Sequence, residues 1–171
     1  MVRGGWFGHE PVETSDFMRA FLEREGFEVR VEESPAVYAE PGYLATVNLI
    51  VQTVTKSTIE KAEFEALRAA VAAGTGFAGW HGGIIDSYRN NADYMQLVGG
   101  QFAAHPGCEP GERAGEQSDN YRPHTIEITE AGRVDPITAG VDDFVIDSEQ
   151  YWVLSDPYME VLATTTQPVR E

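Results

Sequence analysis

The sequence predicts an α/β fold with a mostly parallel sheet and helices on both faces. Three features carry that expectation: β-rich runs with little period-two alternation, helical patterns lying between them, and glycines at the junctions. Parallel strands need crossover connections, and right-handed helical crossovers supply them. In such sheets ligands sit beyond the carboxyl ends of the strands, so function is to be sought in the turns that follow strands.

Residues 2–6 read as a short first strand running into Phe7-Gly8-His9-Glu10-Pro11. Residues 14–25 carry Phe17, Met18, Phe21 and Leu22 at helical spacing, and Gly26 follows where a helix end favours a left-handed residue. Residues 27–31 alternate with period two and predict a second strand, while Pro35, Pro41 and Gly42 mark residues 34–43 as loop. Residues 45–55 form a nearly continuous β-rich run, as expected of a central strand buried on both faces. Ser57 and Glu60 match a capping box, so a helix is expected from there through Phe64, Leu67 and Val71 to Gly74. Residues 75–80 then read as another short buried strand.

Beyond residue 110 the chain turns polar and turn-rich up to Pro123; residues 124–129, 144–146 and 159–164 read as strands, added antiparallel. At 171 residues a single domain over 1–171 is the economical expectation, since folding at that length buries roughly 70% of the unfolded surface.

Composition narrows the partners. A net charge of −16 and a pI near 4.5 would repel a phosphate backbone, and the scattered Lys and Arg form no basic face, so nucleic acid is not expected. No run approaches the roughly 20 apolar residues of a membrane span, and the first residues lack the apolar core of a signal peptide, which leads to a cytoplasmic expectation. The single cysteine, Cys108, can form no internal disulfide; it lies in a Gly/Pro-rich stretch and reads as a loop thiol.

The segment Gly79-Trp80-His81-Gly82-Gly83 follows a buried strand and precedes residues 84–89, which read as the opening of a helix. Glycines around one functional residue allow a sharp strand-turn-helix elbow that lifts its side chain above the sheet edge. Here the lifted residue is His81. A structural histidine hydrogen-bonded within the turn is the alternative, but strain at an elbow is costly without a use.

With Gly-Trp-His-Gly-Gly, with residues 94–102 (Tyr-Met-Gln-Leu-Val-Gly-Gly-Gln-Phe) before His105-Pro106, and with Asp147-Ser148-Glu149-Gln150-Tyr151 before Asp156-Pro157, the chain resembles the ThuA-like, trehalose-utilisation branch of the class I glutamine amidotransferase-like fold. The resemblance covers nearly the whole chain. It implies a flavodoxin-like, amidotransferase-type sheet and a connection with sugar metabolism. It does not imply glutamine hydrolysis, because His81 stands where amidotransferases carry a cysteine and an imidazole cannot form their thioester. Two departures stand out. The chain ends at Pro168-Val169-Arg170-Glu171, where ThuA-like domains usually continue through a further strand region, and Asp135-Pro136-Ile137-Thr138 replaces the commoner His-Pro-Ile-Thr. A sheet edge left exposed by that ending would favour a homo-oligomer.

His9, after the first strand, and His81 are both expected at the carboxyl edge, with His105, Glu149 and Tyr151 also following strands or turns. Such a set suits general acid/base work near neutral pH, with His81, Glu149 and His9 as the catalytic candidates, or a divalent metal held by His9, His81 and Glu149. Trp6, Trp80, His105 and Tyr151 are the candidates for binding substrate, since flat aromatic faces suit sugar rings, although aromatic side chains are more often core. His124 reads as bland, and Asp86 with Arg89 as a pair across one helical turn. The leading functional reading is an enzyme acting on a small-molecule sugar or keto-sugar; a non-catalytic carbohydrate-binding or assembly module and a metal-dependent hydrolase are the alternatives.

Overall fold

The computed structural model describes residues 1–106, 111 and 113–166, in two compact units, Met1–Gln101 and Phe102–Glu171. The first unit is a mixed α/β arrangement around a three-stranded parallel sheet of β1 (Val2–Gly5), β2 (Leu49–Thr55) and β3 (Gly76–Gly79), in that order. β2 is central: Val2 pairs with Gln52 on one side and Leu49 with Gly76 on the other, and all its residues after Leu49 are buried. A strand covered on both faces needs apolar side chains both up and down, and so lacks alternation.

α1 (Pro11–Arg24) begins with a proline at its first turn, where the missing N–H costs nothing. It starts three residues before the expected 14, and only Leu22 of its predicted apolar stripe is buried, with Phe17 at 77% exposure. α2 (Lys61–Ala72) also departs from expectation at its start. The capping box is formed by Glu60 and Glu63 rather than Ser57 and Glu60, because the chain leaves β2 through a turn that places Glu60 at the N-cap. Phe64 and Leu67 of α2 join Val2, Val37, Ile50 and Val54 in the core.

Residues 27–31 do not form the expected strand. Parallel pairing beside β1 is confined to Glu32, whose N–H donates to the Met1 carbonyl and whose carbonyl accepts from the Arg3 N–H, both at 2.9 Å. With so little of β1 to pair against, alternation alone builds no ladder. The run expected from residue 45 likewise becomes strand only at Leu49, its first residues closing a 3-10 turn over Leu44–Thr46.

The hub of the core is polar. Gln52, fully buried on β2, accepts at Oε1 from the hydroxyls of Tyr38 (2.9 Å) and Tyr88 (3.2 Å). Its Nε2 donates to the Tyr94 hydroxyl (2.7 Å) and to Ser87 Oγ (3.0 Å). Tyr94 in turn donates to the carbonyl of Ile84 at 2.8 Å and Ser87 to that of Gly83 at 3.1 Å. Burial, the largest cause, raises the pKa of all three phenols above the usual tyrosine range, since a phenolate there would lose its water. In the unfolded chain the same phenols ionise near pH 10, so their contribution to stability is full below that value and is lost as pH rises beyond it. Three protons retained by the fold predict that unfolding free energy drops by about 4 kcal/mol per pH unit above pH ~10. Urea titrations at a series of alkaline pH values check this, and Tyr94→Phe should remove about a third of the slope.

α3 (Gly82–Ile85) and α4 (Ala92–Val98) follow β3, α3 closing sooner than the helix expected over residues 84–89. Asn91 caps α4 by accepting from the Tyr94 N–H at 2.9 Å, and Gly99, with φ of 75°, ends it. β4 (Gly100–Ala104) leads into the second unit and pairs with β7 (Trp152–Ser155). The remaining strands of that unit, β5 (Tyr121–Ile128), β6 (Phe144–Glu149) and the two-residue β8 (Ala163–Thr164), form an antiparallel sheet in the order β6-β5-β8. The turn-rich approach to β5 is organised by Asp119, whose carboxylate accepts from the backbone N–H groups of Ala114, Gly115 and Glu116 at 2.7–3.0 Å.

Candidate functional site

The carboxyl ends of β1, β2 and β3 lead into three turns, and each turn holds a non-glycine residue with positive φ: Glu10 at 46°, Lys56 at 51° and His81 at 55°. A side chain in that region costs about 1–3 kcal/mol and persists only where its surroundings enforce it. His81 is the most unusual, with ψ at −146°, a pairing that suits glycine far better than histidine. Its side chain is exposed.

The glycines around it serve a different purpose from the expected one. The strain is borne by His81 itself, while Gly82 and Gly83 make room. A Cβ on Gly82 would lie 2.6 Å from Cε1 of His9, and one on Gly83 would lie 2.7 Å from Cα of Thr53. Behind the elbow, the carbonyls of Gly83 and Ile84 are held by Ser87 and Tyr94 of the Gln52 network, so the core fixes the turn that presents the imidazole.

His9 and His81 meet edge to face, with ring centroids 4.7 Å apart, and Trp6 also packs edge to face with His9 at 4.8 Å. Nδ1 of His9 is 3.0 Å from the hydroxyl of the buried Thr55, which orients the ring. Lys56 places its Nζ 4.2 Å from the centroid of the Trp6 ring. The first unit thus brings Trp6, His9 and His81 together at one sheet edge. Trp80 contributes its carbonyl, which accepts from the Gly83 N–H at 3.1 Å.

In the second unit, Nε2 of His105 is 3.6 Å from Oε1 of Glu149, whose side chain is 6% exposed. Phe102, His105 and Tyr151 form a triangle of rings with centroids 4.7–4.9 Å apart. His105, Glu149 and Tyr151 are therefore gathered in their own unit. His124 makes a local contact, Nδ1 lying 2.8 Å from the carbonyl of Arg122. Asp135 accepts from the Ile137 N–H at 2.8 Å and so organises its own turn. Asp86 and Arg89 pair across three residues as the spacing suggests, with Nη2 2.8 Å from Oδ2. Cys108 lies outside the described residues. Sequence reasoning missed Gln52 and Lys56, whose partners come from elements distant in the chain.

A parallel sheet whose third strand ends in a strained, exposed histidine defines an α/β protein of the elbow type, with an imidazole in the lifted position. The chain belongs to the ThuA family, described as trehalose utilisation, whose model matches residues 1–171. No curated protein and no solved structure matches the chain.

Proposed function

We propose that the protein is a ThuA-family enzyme of carbohydrate metabolism that performs acid/base chemistry on a sugar or keto-sugar at His81, with His9 beside it and without glutamine amidotransferase activity. The observation that carries this reading is the conformation of His81: a φ of 55° is held in place by the Gln52 network, and such strain is kept where it positions a reacting group. An exposed imidazole can accept a proton from a hydroxyl, or from the carbon beside a sugar carbonyl, and can return one near neutral pH. A thioester cannot form there, since the elbow offers nitrogen and not sulfur. The order of β1, β2 and β3, with Glu32 bridging to the outer side of β1, supports a flavodoxin-like, amidotransferase-type sheet as the ancestral scaffold. In the second unit Glu149 and His105 form a second acid/base couple, for which Tyr151 offers an aromatic wall.

The test is incubation of the purified protein with disaccharides and their keto derivatives, beside His81→Ala, with products followed by chromatography. Conversion that falls about 100-fold or more in the variant is expected. Equal conversion by both proteins removes the proposal, and calorimetric sugar binding with no conversion of any of these compounds assigns the scaffold to a binding module instead.

A further inference from the structure

Lys56 stands at the histidine edge, and the acid/base chemistry proposed there does not use it. It follows β2, and it belongs to an unbroken chain of contacts: Nζ to Trp6 at 4.2 Å, Trp6 to His9 at 4.8 Å, and His9 to His81 at 4.7 Å. Its backbone is pinned in the left-handed region, with the N–H donating to the Asp86 carbonyl at 2.8 Å. The Asp86 carboxylate is itself taken by Arg89.

The protein has 28 acidic residues, and Arg3, Arg30, Lys61, Arg89 and Arg133 each reach one of them. Among the described residues Lys56 makes no such pair, and its ammonium rests over an indole face instead. A cation–π contact holds the charge in position while leaving it unneutralised, which suits a group kept for an incoming anion.

We infer that Lys56 and Trp6 form a seat for an anionic substituent, a carboxylate or a phosphate, on the sugar that presents its reacting carbon to His81. The inference rests on the proposed role of His81 and names the substrate class for that same site. Neutral sugars can lie against Trp6 and accept from the Lys56 ammonium, but only an anionic one forms an ion pair with it. Such a pair corresponds to about tenfold in affinity or more.

Calorimetric titration of the protein with glucose, glucuronate, glucose 6-phosphate and inorganic phosphate tests it. Glucuronate or glucose 6-phosphate should bind about tenfold tighter than glucose at low salt, the tighter of the two identifying the carboxylate or the phosphate. The preference should shrink as salt is added. Lys56→Met should bring the charged-to-neutral ratio close to one, and Lys56→Arg, which keeps the charge, should restore it; far-UV circular dichroism checks that both variants fold. A wild-type ratio near one, a ratio unchanged by Lys56→Met, or inorganic phosphate binding as tightly as glucose 6-phosphate would overturn the inference. If glucose binding is lost in His81→Ala while no charge preference exists, Lys56 is excluded and the histidine reading stands. A charge preference that depends on Lys56 alongside turnover indifferent to His81→Ala has the opposite meaning.

Discussion

His81→Gly is expected to produce a more stable and nearly inactive protein. Glycine adopts φ of 55° with ψ of −146° without the Cβ clash that histidine endures, so the strained turn relaxes. Against that gain stands the lost edge-to-face contact with His9. The strain, about 1–3 kcal/mol, outweighs such a contact by about 1 kcal/mol, equivalent to a melting temperature higher by about 2–4 °C in a chain of this size. Turnover should fall about 100-fold to 10,000-fold, the usual contribution of a positioned acid or base. Stability and activity moving in opposite directions is the signature of a residue retained for chemistry. A drop in stability together with unchanged turnover would mark His81 as structural.

The largest loss of stability is expected from Gln52→Leu. The substitution keeps the volume but leaves the hydroxyls of Tyr38 and Tyr88 without the oxygen they donate to, and takes the amide donor from Tyr94 and Ser87. Each buried group left unsatisfied costs about 1–3 kcal/mol, so a total of about 3–5 kcal/mol is expected, read as a fall of about 10 °C or more in thermal unfolding. Tyr88→Phe should cost much less, because Gln52 Oε1 keeps Tyr38. The same Gln52 substitution should also lower turnover, since Ser87 and Tyr94 hold the carbonyls of Gly83 and Ile84 behind the elbow.

The elbow was legible because its signal is local: glycines after a short strand and before a helix, with one polar residue in the lifted position. The central place of β2 was legible too, since its run of apolar and β-branched residues suits burial on both faces. Gln52 was hidden by that very run, which reads as apolar; only its partners from three separate stretches of chain, Tyr38, Tyr88 in the loop after α3 and Tyr94 of α4, make its burial affordable. Residues 27–31 show the reverse case, where good local alternation fails because pairing beside β1 reaches only Glu32. The start of α2 was misplaced because Ser57-Glu60 and Glu60-Glu63 are both reasonable boxes, and the geometry of the turn leaving β2 chooses between them. Lys56 carried no sequence motif; the position of its ammonium over Trp6 is a tertiary fact.

Chemical rescue tests the role of His81 most directly. The glycine variant leaves a space where the imidazole stood, so added imidazole can occupy it and take over the proton transfer. Turnover of the keto-sugar panel by His81→Gly should rise with imidazole concentration and saturate, while wild type and His124→Ala show no such response. Wild-type turnover by His81→Gly with no imidazole present would contradict the account.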